Sequence, residues 1–379
     1  MKPIFFLAMA LLLMTGCSDK TSTATPAERT EQTMNLLHSL KQLQAEGRYM
    51  FGHEDDPCYG VGWVGDSARS DVKSVCGDWP AVMGFDLGHI ELGNKGNLDD
   101  VPFDLMHDEI LRHYKRGGMV TLSWHLDNPL TGGSCWAEDP ADGEAVAAIL
   151  EDGAEHEKFL AWLDRVADFL NGLVDNNGVH VPILFRPWHE HNASWFWYGQ
   201  EFCTAEQYKE LWRITVNRLS KQGVTNVLYA YSPSAEVGID EQRYMERYPG
   251  DDIIDVMGLD CYCQAMPGDT VQIAAYAEAL DRNLDMLCSI AQQHQKAAAL
   301  TEAGFEGVPA DDWWTATLAP ALSRHHVSYA LVWRNAHNKP GHFYAPYPGH
   351  PSASDFVNFY NLDETLFLRD VNGLYLATQ

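Results

Sequence analysis

The 379-residue sequence is short of positive charge: 26 lysines and arginines stand against 53 aspartates and glutamates, for a net charge of −27, and the basic residues form no cluster. Phosphate binding needs clustered Lys and Arg, so no nucleic-acid partner is expected. A neutral ligand suits this balance better than an anionic one. A glycine-rich phosphate loop after an early β-rich run is also missing, which argues against a doubly wound nucleotide-binding sheet. Zinc-type cysteine spacing is absent. Cys17 stands near the N-terminus, and seven cysteines follow it: Cys58, Cys76, Cys135, Cys203, Cys261, Cys263 and Cys288. Outside the cytoplasm an odd set leaves at least one without an internal partner, and its pairing stays open. The spacing of Cys261 and Cys263 suits a β-strand better than a metal clip. There is no internal repeat and no second low-complexity linker.

Long hydrophobic runs are scarce too. The one that stands out, FFLAMALLL, follows Met1 and Lys2 and ends in LMTGC at Cys17. A charged start, a short apolar stretch and small residues before a cysteine read as a secretory signal. The run is short for a membrane span. Its ending resembles a bacterial lipobox, which implies a lipid on Cys17; the alternative is a cleavable signal with an incidental cysteine. The expected organisation is a lipoprotein signal peptide over 1–16, lipidated Cys17 and a polar tether over 17–30, and one folded domain over 31–379. The expected location is the bacterial cell envelope, as an outer-membrane lipoprotein held to the membrane through Cys17. The folded part is expected to be a monomer.

What the remaining chain does contain is a regular alternation. Short β-rich runs occur at Tyr49–His53, Ala81–Leu87, Met119–Trp124, Val181–Phe185, Val227–Tyr231, Ile254–Leu259, Ala298–Thr301 and Tyr329–Trp333. Helical patterns fall between them. Over Glu155–Leu173, residues Phe159, Trp162, Leu163, Val166, Phe169, Leu170 and Leu173 recur at helical spacing on one face. Another helix should start at Thr204, with Gln207 as a capping-box partner, and stop at Gly223. Strand–helix alternation implies parallel strands joined by crossovers. Eight such units predict the α/β class and a single (β/α)8 TIM barrel.

A barrel makes a positional prediction, because its chemistry occurs at the C-terminal ends of the strands. Those ends carry His53-Glu54-Asp55, Asp86 and His89, His125 with Asp127, His189-Glu190-His191, Ser232, Asp260 with Tyr262, Thr301-Glu302, and Trp333-Arg334-Asn335. Two glutamates stand out. Glu190 ends the fourth run inside FRPWHEHNASWFWYG, and Glu302 ends the seventh inside AAALTEAGFE. Side chains at strands four and seven can converge across the mouth of an eight-stranded barrel. Paired carboxylates facing a glycosidic bond are the equipment of glycoside hydrolysis, one protonated and one ionised.

RPWHEHNASWFWYG and LTEAGFE resemble the acid/base and nucleophile motifs of glycoside hydrolase family 26, chiefly β-mannanases. The likeness continues through FGHEDD (51–56), SWHLDN (123–128), MGLDCY (257–262) and LVWRNA (331–336). The resemblance implies a retaining mechanism on β-1,4-linked mannan, galactomannan or manno-oligosaccharides, with Glu190 as acid/base and Glu302 as nucleophile. It further implies that His189 holds the nucleophile or meets the sugar, and that Tyr262 bonds Glu302. Trp333 would floor the cleaved sugar, Trp195 would flank the leaving group, and His125 and Arg334 would contact hydroxyls on the non-reducing side. Asp260 and Arg186 either touch substrate or buttress the carboxylates. No cofactor is implied.

Alternatives stay open from residues alone. Trp197, Tyr198 and Phe196 could pack beneath the loop, as could Trp313 and Trp314 in their own helix, and His53 and Glu54 could brace the rim. A His-Glu-His metal site is a competing reading, although metal-dependent barrels open with His-x-His on the first strand and this chain has His53-Glu54-Asp55. A non-catalytic glycan-binding lipoprotein is another, and xylan or β-glucan a further choice of substrate. Long loops over Gly88–Pro102 and Asn128–Ala154 suggest a cleft walled at the non-reducing end and release of mannobiose from chain ends, with an open, endo-acting cleft as the alternative.

Overall fold

The computed structural model describes residues 26–66 and 68–377. The signal and lipidation expectations, Cys17 included, lie outside the described residues. Within them the barrel is present. Its strands are β1 (Tyr49–Glu54), β2 (Val82–Asp86), β3 (Met119–Trp124), β4 (Ile183–Pro187), β5 (Val227–Tyr231), β6 (Val256–Cys263), β7 (Ala297–Phe305) and β8 (Tyr329–Val332). Each pairs in parallel with the next, and β8 closes on β1 through Met50↔Tyr329 to His53↔Val332. Strands buried on both faces explain the near-continuous apolar runs, since parallel sheets are covered by their crossover helices.

Boundaries depart from the expected ones for identifiable reasons. β4 starts at Ile183 rather than Val181, because Pro182 has no N–H for the ladder. β6 and β7 run beyond Leu259 and Thr301 and stay paired to Cys263↔Phe305. A register shift after Leu259 sets Asp260 opposite Glu302 and leaves Thr301 as an extra residue. Bulges of this kind re-aim side chains next to active sites. Here consecutive Thr301 and Glu302 both reach the barrel interior, Thr301 Oγ1 donating to Asp260 at 2.7 Å.

The helix expected after Glu155 spans His156–Gly172, with Phe159, Trp162, Leu163, Val166 and Leu170 buried. Thr204 and Gln207 form the expected capping box on the helix Ala205–Lys221, and the chain then turns at Gly223 with φ +78°. An N-terminal helix, Glu31–Ala45, packs against β5 and β7. Arg29 pairs with Asp255 at 2.6 Å, Thr30 N–H donates to Thr225 O at 3.0 Å, and Ala298 N–H donates to Gln44 Oε1 at 2.9 Å. The seven cysteines after Cys17 are free thiols in the structure. No described helix is long and apolar enough to cross a membrane.

Candidate active site

The fourth strand ends in an abrupt turn. Trp188 and Glu190 both adopt left-handed backbone, φ +59° and +53°. Such conformations cost non-glycine residues of order 1–3 kcal/mol each and persist where packing enforces them. Trp188 is fully buried outside the barrel, its ring 5.7 Å from that of Trp124 and 6.0 Å from that of Trp197. This anchoring sends the chain back so that Glu190 N–H donates to Ser232 O at 2.8 Å and its carboxyl faces the barrel mouth. Trp197 and Tyr198 are buried under the same turn and Trp313 and Trp314 are buried elsewhere, all four away from the cleft lining, whereas Phe196, 1% exposed, lines the cleft with its ring 5.2 Å from His125 and 5.1 Å from Trp136.

Glu190 and Glu302 meet in a cleft of about 570 Å³ that Trp195, Tyr262, Trp333, Arg334 and His125 also line. One oxygen each from Glu190, Asp260 and Glu302 lies within 4.8 Å of the others. A cation could use that spacing, but Arg186 already supplies positive charge there. Its Nη2 donates to Glu302 Oε1, and its Nη1 donates to Asp260 Oδ2 at 2.9 Å and to Ser232 Oγ at 3.0 Å. Tyr262 OH donates to the other Glu302 oxygen at 2.6 Å. Trp195 Nε1–H donates to Glu190 Oε2 at 2.8 Å.

These surroundings separate the two glutamates. Burial raises the Glu190 carboxyl well above the ordinary range, and the negative charges of Asp260, Glu302 and Glu236 raise it further. Glu302 instead sits against a buried guanidinium and a phenol, each donating to one of its two oxygens, a charge-assisted pairing that fixes the carboxyl in place. One arginine cannot neutralise two carboxylates: Asp260 is pushed up to about 8 by burial, which outweighs Arg186. Arg186 itself stays charged, because Asp260 and Glu302 outweigh the effect of burial.

The remaining expected residues are placed less uniformly. Asp260 is fully buried beneath Arg186 and does not line the cleft. His189 is buried too; its Nε2 lies 3.1 Å from His125 Nε2, so its partner is His125, and Glu302 is held by Arg186 and Tyr262. His125 lines the cleft with its ring 6.0 Å from Trp333, yet both its nitrogens are engaged, Nδ1 with Asp86 at 2.7 Å. Burial would raise the Asp86 carboxyl, but His125, Ser123 and Gly88 N–H hold it down at about 2. Burial pushes His189 well below the usual histidine range and Arg186 adds to this, while Asp86 overcomes burial to raise His125. Arg334 lines the cleft and pairs with Asp99 at 2.7 Å. His53 and Glu54 are buried in the barrel end, away from the cleft lining.

Arg186 holds more of the site together than its place in the sequence suggests. Its signal was an arginine inside an apolar strand, a residue almost never buried unless paired. Glu236, Gln264, Trp136 and Tyr344 also line the cleft and come from loops, where no periodicity marks them. Tyr344 explains Gly304 in LTEAGFE: with φ +156°, a Cβ there would fall 2.3 Å from the tyrosine ring.

With this geometry in view, similarity to known proteins becomes informative. A model described as glycosyl hydrolase family 26 matches residues 22–332. A mannan endo-1,4-beta-mannosidase of Bifidobacterium adolescentis is 31% identical over 91% of this chain, which spans only 35% of that protein. One from Bacillus subtilis is 29% identical, covering 69% of this chain and 72% of its own length. Among solved structures, a GH26 beta-mannanase from Bacteroides ovatus superposes with TM-score 0.87 at 50% identity, covering 92% of this chain and 98% of that one. An endo-beta-1,4-mannanase from Cellulomonas fimi gives TM-score 0.82 at 33% identity over 94% and 80%.

Proposed function

The chain belongs to glycosyl hydrolase family 26, and from that premise we propose that it is a retaining β-mannanase acting on β-1,4-linked mannan, galactomannan or manno-oligosaccharides. The observation that carries the mechanism is the approach of the Glu190 and Glu302 carboxylates to within 4.8 Å. Retaining glycosidases hold their carboxyls about 5–5.5 Å apart, whereas inverting enzymes leave room for a water. Glu302, clamped by Arg186 and Tyr262, attacks the anomeric carbon as the glycosidic bond breaks. Glu190, kept protonated by burial, gives its proton to the leaving oxygen. Glu190 then takes a proton from water, whose oxygen displaces Glu302 and releases the sugar.

The platforms follow from this. Trp333 floors the reacting sugar, Trp195 flanks the leaving group, and pyranose faces stack on indoles. His125 and Arg334 border the non-reducing side, His125 by its ring edge. Substituting Glu190→Gln or Glu302→Gln should lower kcat at least about a hundredfold, as loss of acid/base or nucleophilic assistance does. Unchanged turnover in both folded variants would leave a glycan-binding protein instead.

We further propose release of short products, chiefly mannobiose, from non-reducing ends. Support comes from the loops after β2 and β8, joined by Arg334–Asp99 at 2.7 Å and Asn338–Asp100 at 3.1 Å, which wall that end of the cleft. Early products from a long mannan decide this: mannobiose alone is expected, and a broad ladder indicates endo action. The proposed lipid on Cys17 is tested by palmitate labelling that Cys17→Ser abolishes.

A further inference from the structure

A second cavity of about 410 Å³ adjoins the cleft, and Glu236, Tyr262 and Gln264 line both. Its remaining walls come from Cys261 in β6, from the loops after β5 and β6 and from the helix Thr270–Gln293. Ala235, Ala265, Ala275 and Ala279 give it a methyl surface, and Tyr276 and Asn283 also line it. Gln264 Nε2 donates to Glu236 Oε2 at 3.1 Å, so this pair forms the shared rim. Met266 and Val271, which adjoin lining residues in the chain, are 66% and 77% exposed.

Position and chemistry define the occupant. In an eight-stranded barrel β5 and β6 lie opposite β1 and β2, so this cavity is on the far side of the cleft from the Asp99–Arg334 wall. On the proposed mechanism that is the leaving-group side, and Trp195 lines the cleft that the cavity adjoins. Its volume is at the lower end of small-molecule sites, roughly 300–1,000 Å³. Apolar methyls and a tyrosine beside amide and carboxylate hydrogen-bonding groups suit the two faces of a pyranose. Glu236 is the only charged lining residue, and it would repel an acidic substituent. The cavity shares only Glu236, Tyr262 and Gln264 with the cleft, so it suits a branch leaving the backbone better than the backbone itself.

Resting on the mannanase reading, we propose that this side pocket binds a single neutral hexosyl branch carried by the backbone sugar on the leaving-group side. The pocket thereby lets the enzyme cleave beside a substituted residue.

The test compares the full chain with Ala275→Trp, an exposed position that lines the side pocket and not the cleft. Substrates are a linear manno-oligosaccharide and one bearing a single galactosyl unit on the sugar after the scissile bond. In Ala275→Trp, kcat/KM for the branched substrate should fall by about tenfold or more, as loss of a shaped subsite does, and that for the linear one should hold. Equal losses on both, a loss on neither, or a wild-type enzyme unable to cut beside the branch would overturn the proposal. Calorimetric binding of the same two ligands to Glu302→Gln, with and without Ala275→Trp, reads the pocket independently of turnover. A selective loss of branched-ligand affinity supports it, and equal affinities sink it. Failure of the wild type to hydrolyse linear mannan would count against the mannanase reading, and the binding arm would still decide the pocket.

Discussion

At the scale of single residues, the cleft works by giving identical side chains different surroundings. Glu190 has an indole N–H and three neighbouring negative charges, and Glu302 has a guanidinium and a phenol. Glu236 is one of the charges that raise Glu190, which yields a signed prediction. In the proposed mechanism Glu190 must be protonated, so activity should decline as pH rises through its pKa. Replacing Glu236 with Gln removes a repulsion, lowers that pKa and should move the alkaline limb of kcat to lower pH. A limb that stays put or moves up refutes the assignment. Both glutamates were legible in the sequence because each closes a β-rich run. The contacts of His189 and Asp260 were not, because a residue letter at a strand end does not say whether its side chain faces the cleft or the layer beneath. For Arg186 the clue was present but ambiguous, since one buried arginine can serve either carboxylate or substrate.

At the scale of elements, helix signals were the most readable. Cap, capping-box partner and terminal glycine all occur within one short stretch, and Thr204, Gln207 and Gly223 behave as read. Thr204→Ala should therefore cost about 1 kcal/mol of stability, measurable by denaturant unfolding, with kcat/KM unaffected because the cap is remote from the cleft. A loss above the range for caps would mean that Thr204 has a tertiary role. Strand existence was equally plain, but strand ends were not. β6 and β7 continue past the apolar runs, since Asp260, Tyr262 and Glu302 interrupt the hydrophobic pattern while backbone pairing runs on to Cys263↔Phe305. The Thr301 bulge that turns Glu302 into the site depends on register, which no local motif announces.

At the scale of the whole molecule, closure was predictable from eight repeats of one unit, whereas cysteine pairing was open and resolves as seven free thiols. A reductant should accordingly leave the thermal midpoint unchanged, and a fall in dithiothreitol would reveal a bridge. The same view assigns the two barrel faces opposite duties. Residues 29 and 30 are fixed to the turns before β5 and β6 by the Arg29–Asp255 pair and the Thr30–Thr225 hydrogen bond. The chain therefore joins the domain on the N-terminal face, while Glu190 and Glu302 open on the C-terminal face. A surface attached at that end cannot cover the cleft, so a polymer can thread across it unhindered. Immobilising the protein on beads through position 26 should leave KM for polymeric mannan near its value in solution. Attachment through position 339, which lines the cleft, should raise KM for the polymer several-fold and spare that for a short oligosaccharide. Equal obstruction by both attachments would contradict the separation of faces, and with it the idea that an envelope-tethered form could present its cleft outward.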